Sequence, residues 1–287
     1  MTAPFRTGLT PVCNTDRRVI NKNIKMSRKY EYVTFRNPQS LFPAAVVGGG
    51  PSTKANVDVL RQWVLRGGSD IYAVNDTAKY LSDNDIPCYL YSVDCTEVPF
   101  KIGPLVKGAV FASRVHRDQF KQFNKTNVRI FHLLEDAEWL RVGGGIEGGG
   151  TSVTRTPTLL LRMGYASLYY FGCEGSFYDY SHVSGKSEEI YHNTMIISAG
   201  GIDYLTTAAF VIQNEYLSRQ MRKYPTLLKN RSGGLLEAMI KHWDTYEFKA
   251  IGEDLKKQYH EKGLPIWTEE YKLNEHELWK PNEANTN

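Results

Sequence analysis

The chain has 287 residues, a net charge of +4, 41% apolar and 23% charged residues. That is enough for one large α/β domain, or a domain with a smaller appendage, and it fits no disordered, collagen-like or membrane class. No apolar run approaches the ~20 residues of a spanning helix, and residues 1–30 lack the apolar stretch of a signal peptide, so a cytoplasmic location is expected.

Charge is unevenly placed. Residues 1–30 carry Arg6, Arg17, Arg18, Lys22, Lys25, Arg28 and Lys29 against Asp16, a net of +6, which leaves −2 for the rest. The segment 1–40 reads as a basic arm. Such an arm attracts nucleic acid by counterion release or is a solvated extension, and without aromatic residues interleaved the extension is favoured. Cys13, Cys88, Cys95 and Cys173 have no CxxC spacing, so neither a zinc site nor a disulfide framework is indicated.

After the arm, Ala44-Ala45-Val46-Val47 predicts a strand entering the glycine elbow Gly48-Gly49-Gly50-Pro51-Ser52, and the apolar spacing of Val57, Leu60, Val64 and Leu65 predicts a helix. Strands are then predicted at Ile71–Val74, Cys88–Val93, Val110–Ala112 and Val128–Phe131, with short helices at Ala78–Leu81 and His116–Phe123. Residues 134–150 read as a loop, because Gly143 to Gly150 contain six glycines. From Thr151 a helix runs to Met163. Pro157 lacks an N–H and fits best in a first turn, which would move the start toward a Thr154 cap. Ser167–Phe171 closes the series as a strand ending at Gly172-Cys173-Glu174. Thr194–Leu205 reads as a hairpin turning at Gly200-Gly201, and Ala208–Met221 and Leu235–His242 as helices.

This alternation predicts an α/β fold: a Rossmann-like, mostly parallel sheet with helices on both faces over residues 41–245, then a charged helical or irregular tail over 246–287. Ligands of such sheets bind beyond the carboxyl ends of the strands. Both elbows, Gly48–Ser52 and Gly148–Ser152, fall on that edge, where glycine lets the backbone approach a ligand and a helix start faces an anion. The first elbow has Thr53 where a dinucleotide fingerprint needs its third glycine, and no lysine in Walker spacing follows.

Asp94 and Glu174 at strand ends are candidates for magnesium or ribose contacts, or for plain loop hydrogen bonding. His182 and His192 flank a polar loop and are candidate general bases. His116, His132, His242, His260 and His276 have no special sequence context. Tyr178-Asp179-Tyr180 offers phenolic hydroxyls to a diphosphate, or ordinary packing. Asn230-Arg231-Ser232-Gly233-Gly234 is a third glycine turn that either closes over a ligand or caps a helix.

The order Val46-Val47-Gly48-Gly49-Gly50-Pro51-Ser52, Ala73-Val74-Asn75-Asp76-Thr77-Ala78, Val93-Asp94, Gly150-Thr151-Ser152-Val153, Met163-Gly164-Tyr165 and Tyr170-Phe171-Gly172-Cys173-Glu174 resembles the MptE-like family. That family includes archaeal 6-hydroxymethylpterin diphosphokinases, the central domain of motility-associated flagellin glycosyltransferases and unassigned phage proteins, and its fold is similar to that of bacterial CMP-sugar sialyltransferases. The resemblance covers residues 43–242 and departs at Glu174, where the family usually has Asp, and at Pro157. It implies that Gly49, Gly50, Pro51 and Ser52 line a donor nucleotide, Asn75 and Asp94 its nucleoside, and Gly150, Thr151 and Ser152 its phosphates, with Gly172 and Glu174 closing the site.

The expected activity is therefore a nucleotide-dependent transferase. One form moves a glycosyl group from a nucleotide-activated sugar to an acceptor hydroxyl on a small molecule, glycan or nucleic acid, including a DNA base if the chain is phage-derived and acts in a host cytoplasm. Another transfers diphosphate from ATP to a hydroxymethylpterin-like acceptor, with Mg2+ on Asp94 and Glu174. A third, from a different class, is a non-catalytic nucleotide or nucleic-acid binding module.

Overall fold

The computed structural model describes residues 15–36, 42–67, 70–176 and 194–249. Its centre is a sheet of eight strands, all paired in parallel: β1 (Glu31–Tyr32), β2 (Ala44–Val47), β3 (Ile71–Val74), β4 (Cys88–Ser92), β5 (Val106–Ala112), β6 (Val128–Phe131), β7 (Leu168–Phe171) and, after a small second sheet, β10 (Leu228–Asn230). The spatial order is β1-β6-β5-β4-β3-β2-β7-β10. Strands β2 to β6 step outward in one direction, then β7 returns to the other side of β2. That reversal makes the gap between β2 and β7 a topological switch point.

The central strands are apolar on both faces, as helices on each side require: Ala44–Val47 and Ile71–Val74 are buried at every position. The covering helices are α1 (Arg17–Ser27), α2 (Ser52–Ala55), α3 (Val57–Leu65), α4 (Thr77–Asp83), α5 (Arg117–Phe120), α6 (Leu134–Leu140), α7 (Ser152–Arg162), α8 (Ala208–Lys223) and α9 (Gly234–Lys241). The second sheet, β11-β8-β9, is antiparallel, from β8 (Thr194–Ala199), β9 (Ile202–Thr207) and β11 (Glu247–Lys249). Its hairpin turns at Gly200-Gly201, both at positive φ, the conformation a two-residue turn between twisted strands demands.

Several expectations are corrected. The segment read as a loop over 134–150 contains α6, whose Ala137 and Asp136 are buried. The glycine count concealed it, because the glycines all follow the helix. The helix read over His116–Phe123 is the single turn α5, with His116 as its N-cap. Thr154 does not cap α7. Thr151 does, and its own N–H donates to Thr154 Oγ1 at 3.2 Å, so the helix begins where the glycine motif places it. Pro157 sits inside α7, and the carbonyl of Val153 that it leaves without an N–H accepts from the Thr156 hydroxyl at 2.7 Å instead. Part of the basic segment is built into the sheet layer, since β1 pairs with β6. Cys88, Cys95 and Cys173 are all buried. Among the described residues no helix is long and apolar enough to cross a membrane.

Candidate functional site

The strand order places the candidate residues in one row along the carboxyl edge. From one side to the other come the third glycine turn after β10, the Gly172–Gly175 loop after β7, the first elbow after β2, Asn75 after β3 and Asp94 after β4. With neighbouring strands about 4.8 Å apart, this row spans roughly 19 Å.

At the switch point the two loops are laced together. The Gly48 N–H donates to Phe171 O at 2.8 Å and the Gly50 N–H to Gly172 O at 2.9 Å. The Thr53 hydroxyl donates to Gly48 O at 2.7 Å, and the Gly172 N–H donates to Ser52 Oγ at 3.1 Å. A Cβ at Gly172 would overlap both the Thr53 hydroxyl and the Gly48 carbonyl oxygen, so glycine is required there by close approach as well as by its positive φ. The Ser52 N–H at the start of α2, one of the groups that a donor phosphate was expected to take, donates to Glu174 Oε1 at 2.6 Å.

Glu174 is fully buried, and its carboxyl lies against Gly50 while its Cβ lies against Gly234. Its Oε2 has no hydrogen-bond partner among the described residues. Burial pushes the carboxyl up to about 7, against the opposing pull of the Ser52 N–H. Asn214 Nδ2 and the Leu236 N–H both donate to the Glu174 carbonyl at 3.0 Å. Ser232 Oγ accepts from the Cys173 N–H at 2.9 Å. The residue thus fastens the first elbow, the β7 loop and the third glycine turn to one another.

The second elbow reaches the row from above β4. Ser152 Oγ accepts from the Val93 N–H at 3.2 Å, and the Thr151 hydroxyl donates to Gln213 Oε1 at 2.9 Å. Asp94 is half-buried and accepts from the Thr96 N–H at 3.0 Å, a local turn. Asn75 holds a left-handed backbone (φ 54°), and its Oδ1 is buried without a partner among the described residues. Among the described residues no group of three or more His, Cys, Asp or Glu side chains could hold a metal ion. Glu174, turned onto the Ser52 N–H and covered by two glycines, does not present a carboxylate that fits magnesium. Tyr178, His182 and His192 lie outside the described residues.

Two groups carry parts that the sequence reading did not assign. Gln213, Asn214 and Glu215, three consecutive polar residues inside α8, are all buried. They tie the second elbow, the β7 loop and, through the Tyr246 hydroxyl on Glu215, the end of the second sheet to one helix. An unbroken polar triplet in an otherwise amphipathic helix was the available signal. His132, just past β6, is held between Ser113 Oγ at 2.7 Å and Tyr32 OH at 2.9 Å, and burial lowers its pKa from the usual imidazole value. Its position directly after a strand was visible, but the partners come from β1 and the end of β5.

No known protein family matches the sequence, and no curated protein matches it. Among solved structures the chain is similar to the MAf glycosyltransferase from Magnetospirillum magneticum AMB-1, with a TM-score of 0.57 and 18% identity over 85% of this chain. It spans 41% of that protein's length. At this identity the likeness is one of fold, a parallel α/β sheet with its helices shared with a glycosyltransferase.

Proposed function

We propose that the chain is a nucleotide-dependent transferase of MptE-like type that moves a glycosyl group from a nucleotide-activated sugar to an acceptor hydroxyl. The observation that carries this reading is the convergence of two glycine elbows, Asn75 and Asp94 at the carboxyl edge around a switch point, in a fold shared with a glycosyltransferase. In this reading Gly49, Gly50 and Pro51 border the donor, while Ser52 is held back by Glu174 to fix the elbow's shape. Asn75 and Asp94 face the nucleoside. Gly150, Thr151, Ser152 and the first turn of α7 stabilise charge on the departing phosphate. Gly172 keeps the two loops in contact. His182 or His192 takes the acceptor proton as its oxygen attacks the anomeric carbon, and Tyr178 contacts the phosphates.

A thermal-shift panel of CMP, UDP, GDP, ADP and ATP, each with and without magnesium, tests the reading, since a ligand selective for the native state raises Tm. A magnesium-independent rise with CMP or UDP is expected, followed by loss of turnover in either His182→Ala or His192→Ala. A rise that requires ATP and magnesium would replace sugar transfer with diphosphate transfer. Binding without turnover of any donor would leave a binding module, and no rise with any nucleotide would remove the donor site.

A further inference from the structure

We infer that the exposed face of α1, together with Trp139, is a binding surface for single-stranded nucleic acid, the acceptor of the transfer proposed above. The role as acceptor rests on that reading, whereas the surface stands on its own observations. The inner face of α1, Ile20, Asn23, Ile24 and Ser27, is buried. Ile20 and Ile24 pack with Cys95 and Leu140, Asn23 Nδ2 donates to Arg114 O at 3.0 Å, and Arg17 pairs with Asp136 at 3.0 Å. Cys95, Arg114 and Leu140 belong to the segments that follow β4, β5 and β6. The basic helix therefore lies across the same carboxyl edge as the donor row, about 10 Å from β2 at its near strand.

Its outer face carries Arg18, Lys22 and Lys25, continued by Arg28 and Lys29, all exposed. Spacings of four and three residues line the first three along one side of the helix, opposite the buried stripe. None of the five forms an ion pair among the described residues. Of the nearby acids, Asp16 caps the helix, Glu31 pairs with Arg129 and Glu135 with Arg155, while Glu138 is exposed on α6 next to Trp139. Like charges at these spacings disfavour a helix, so the row opposes local stability and calls for a negatively charged partner. Trp139, on α6, is 52% exposed, with the Arg17 guanidinium 4.8 Å from its ring centre. A second ring lies in the basic row itself, with Lys29 Nζ 5.4 Å from the Tyr30 ring centre, whereas Trp139 arrives from over a hundred residues later in the chain. Cations beside an exposed ring match a phosphate backbone with an unpaired base stacked on the ring. A membrane surface is disfavoured, because the apolar side of α1 is turned into the protein and not outward as an interfacial helix needs.

Fluorescence anisotropy of the full chain with a labelled mixed-sequence oligonucleotide tests this across salt concentrations. If about four phosphates are neutralised, affinity falls about 50-fold from about 50 to about 200 mM salt. Lys22→Glu with Lys25→Glu should reduce that dependence to about sevenfold or less, with Tm unchanged or raised because the like-charge row is broken. Trp139→Ala should weaken binding at least about fivefold without altering the salt dependence. The proposal is overturned if the wild type does not bind the strand, if the double variant keeps the full salt dependence, or if phosphatidylserine vesicles bind more tightly than the strand. Nucleotide shifts without strand binding would sink this surface and leave the transferase reading intact. Strand binding of the expected kind without any nucleotide shift would do the reverse.

Discussion

At the residue scale, Glu174 concentrates the tension of the site. Its carboxyl accepts one backbone N–H but is otherwise sealed from water, and burial raises it from 4.5 to about 7. The folded state therefore holds a proton between those values that the unfolded chain releases. The contribution of Glu174 to stability is fully present below about 4.5, falls as pH rises toward about 7 and is level above it, a difference of about 3 kcal/mol. Glu174→Gln keeps an oxygen for the Ser52 N–H and cannot ionise. Urea midpoints at about pH 5 and about pH 8 should thus lie closer together in the variant than in the wild type. An equal gap in both proteins would show that another group sets the pH dependence.

At the element scale, α7 shows how a helix absorbs a proline. The Thr156 hydroxyl donates to the Val153 carbonyl that Pro157 leaves open, while also touching the Tyr170 hydroxyl at 3.1 Å. Thr156→Val should cost about 1–3 kcal/mol, through the buried carbonyl and phenol left without it. In a Pro157→Ala background, whose new N–H satisfies the carbonyl, the same change should cost measurably less. Additive effects in that double-mutant cycle would refute the compensation. The same helix marks what was legible in the sequence. Period-two and apolar runs located β2, β3, β4, β6 and β7 to within a residue or so, and the Gly-Gly hairpin was found because its turn chemistry is local. The elements overlooked, α1, β1, α6, β10 and β11, are short or charged segments whose stability comes from docking against distant parts of the chain. Of the site, the glycine loops and strand-end polar residues were readable. The interlocking of Gly172 with Gly48 was not, since it depends on which strands become neighbours, and neither was the use of Ser52 by Glu174.

At the scale of the whole molecule, the far end of the edge is held by charge. Asp136 is fully buried and takes two hydrogen bonds from Arg114, at 2.8 Å each, and one from Arg17 on α1. Asp136→Ala removes two hydrogen bonds from the buried Arg114 guanidinium, which keeps Glu135 at 3.5 Å, and releases α1, and should cost up to about 3–5 kcal/mol. Amide exchange should locate the loosening in residues 17–27, and protection unchanged there would deny α1 its anchor. The strand order has a further consequence, for synthesis on the ribosome. Strand β2, apolar at all four positions, pairs with β3 as soon as that is made, but its other edge waits for β7, about 120 residues later. At 5–20 residues per second that edge stays open for roughly 6–24 s. During that interval the nascent chain presents an uncovered hydrogen-bonding template of the kind that recruits other chains. Translational pausing before β7 should therefore favour aggregation, whereas a pause after β10, which covers the outer edge of β7 in turn, should not.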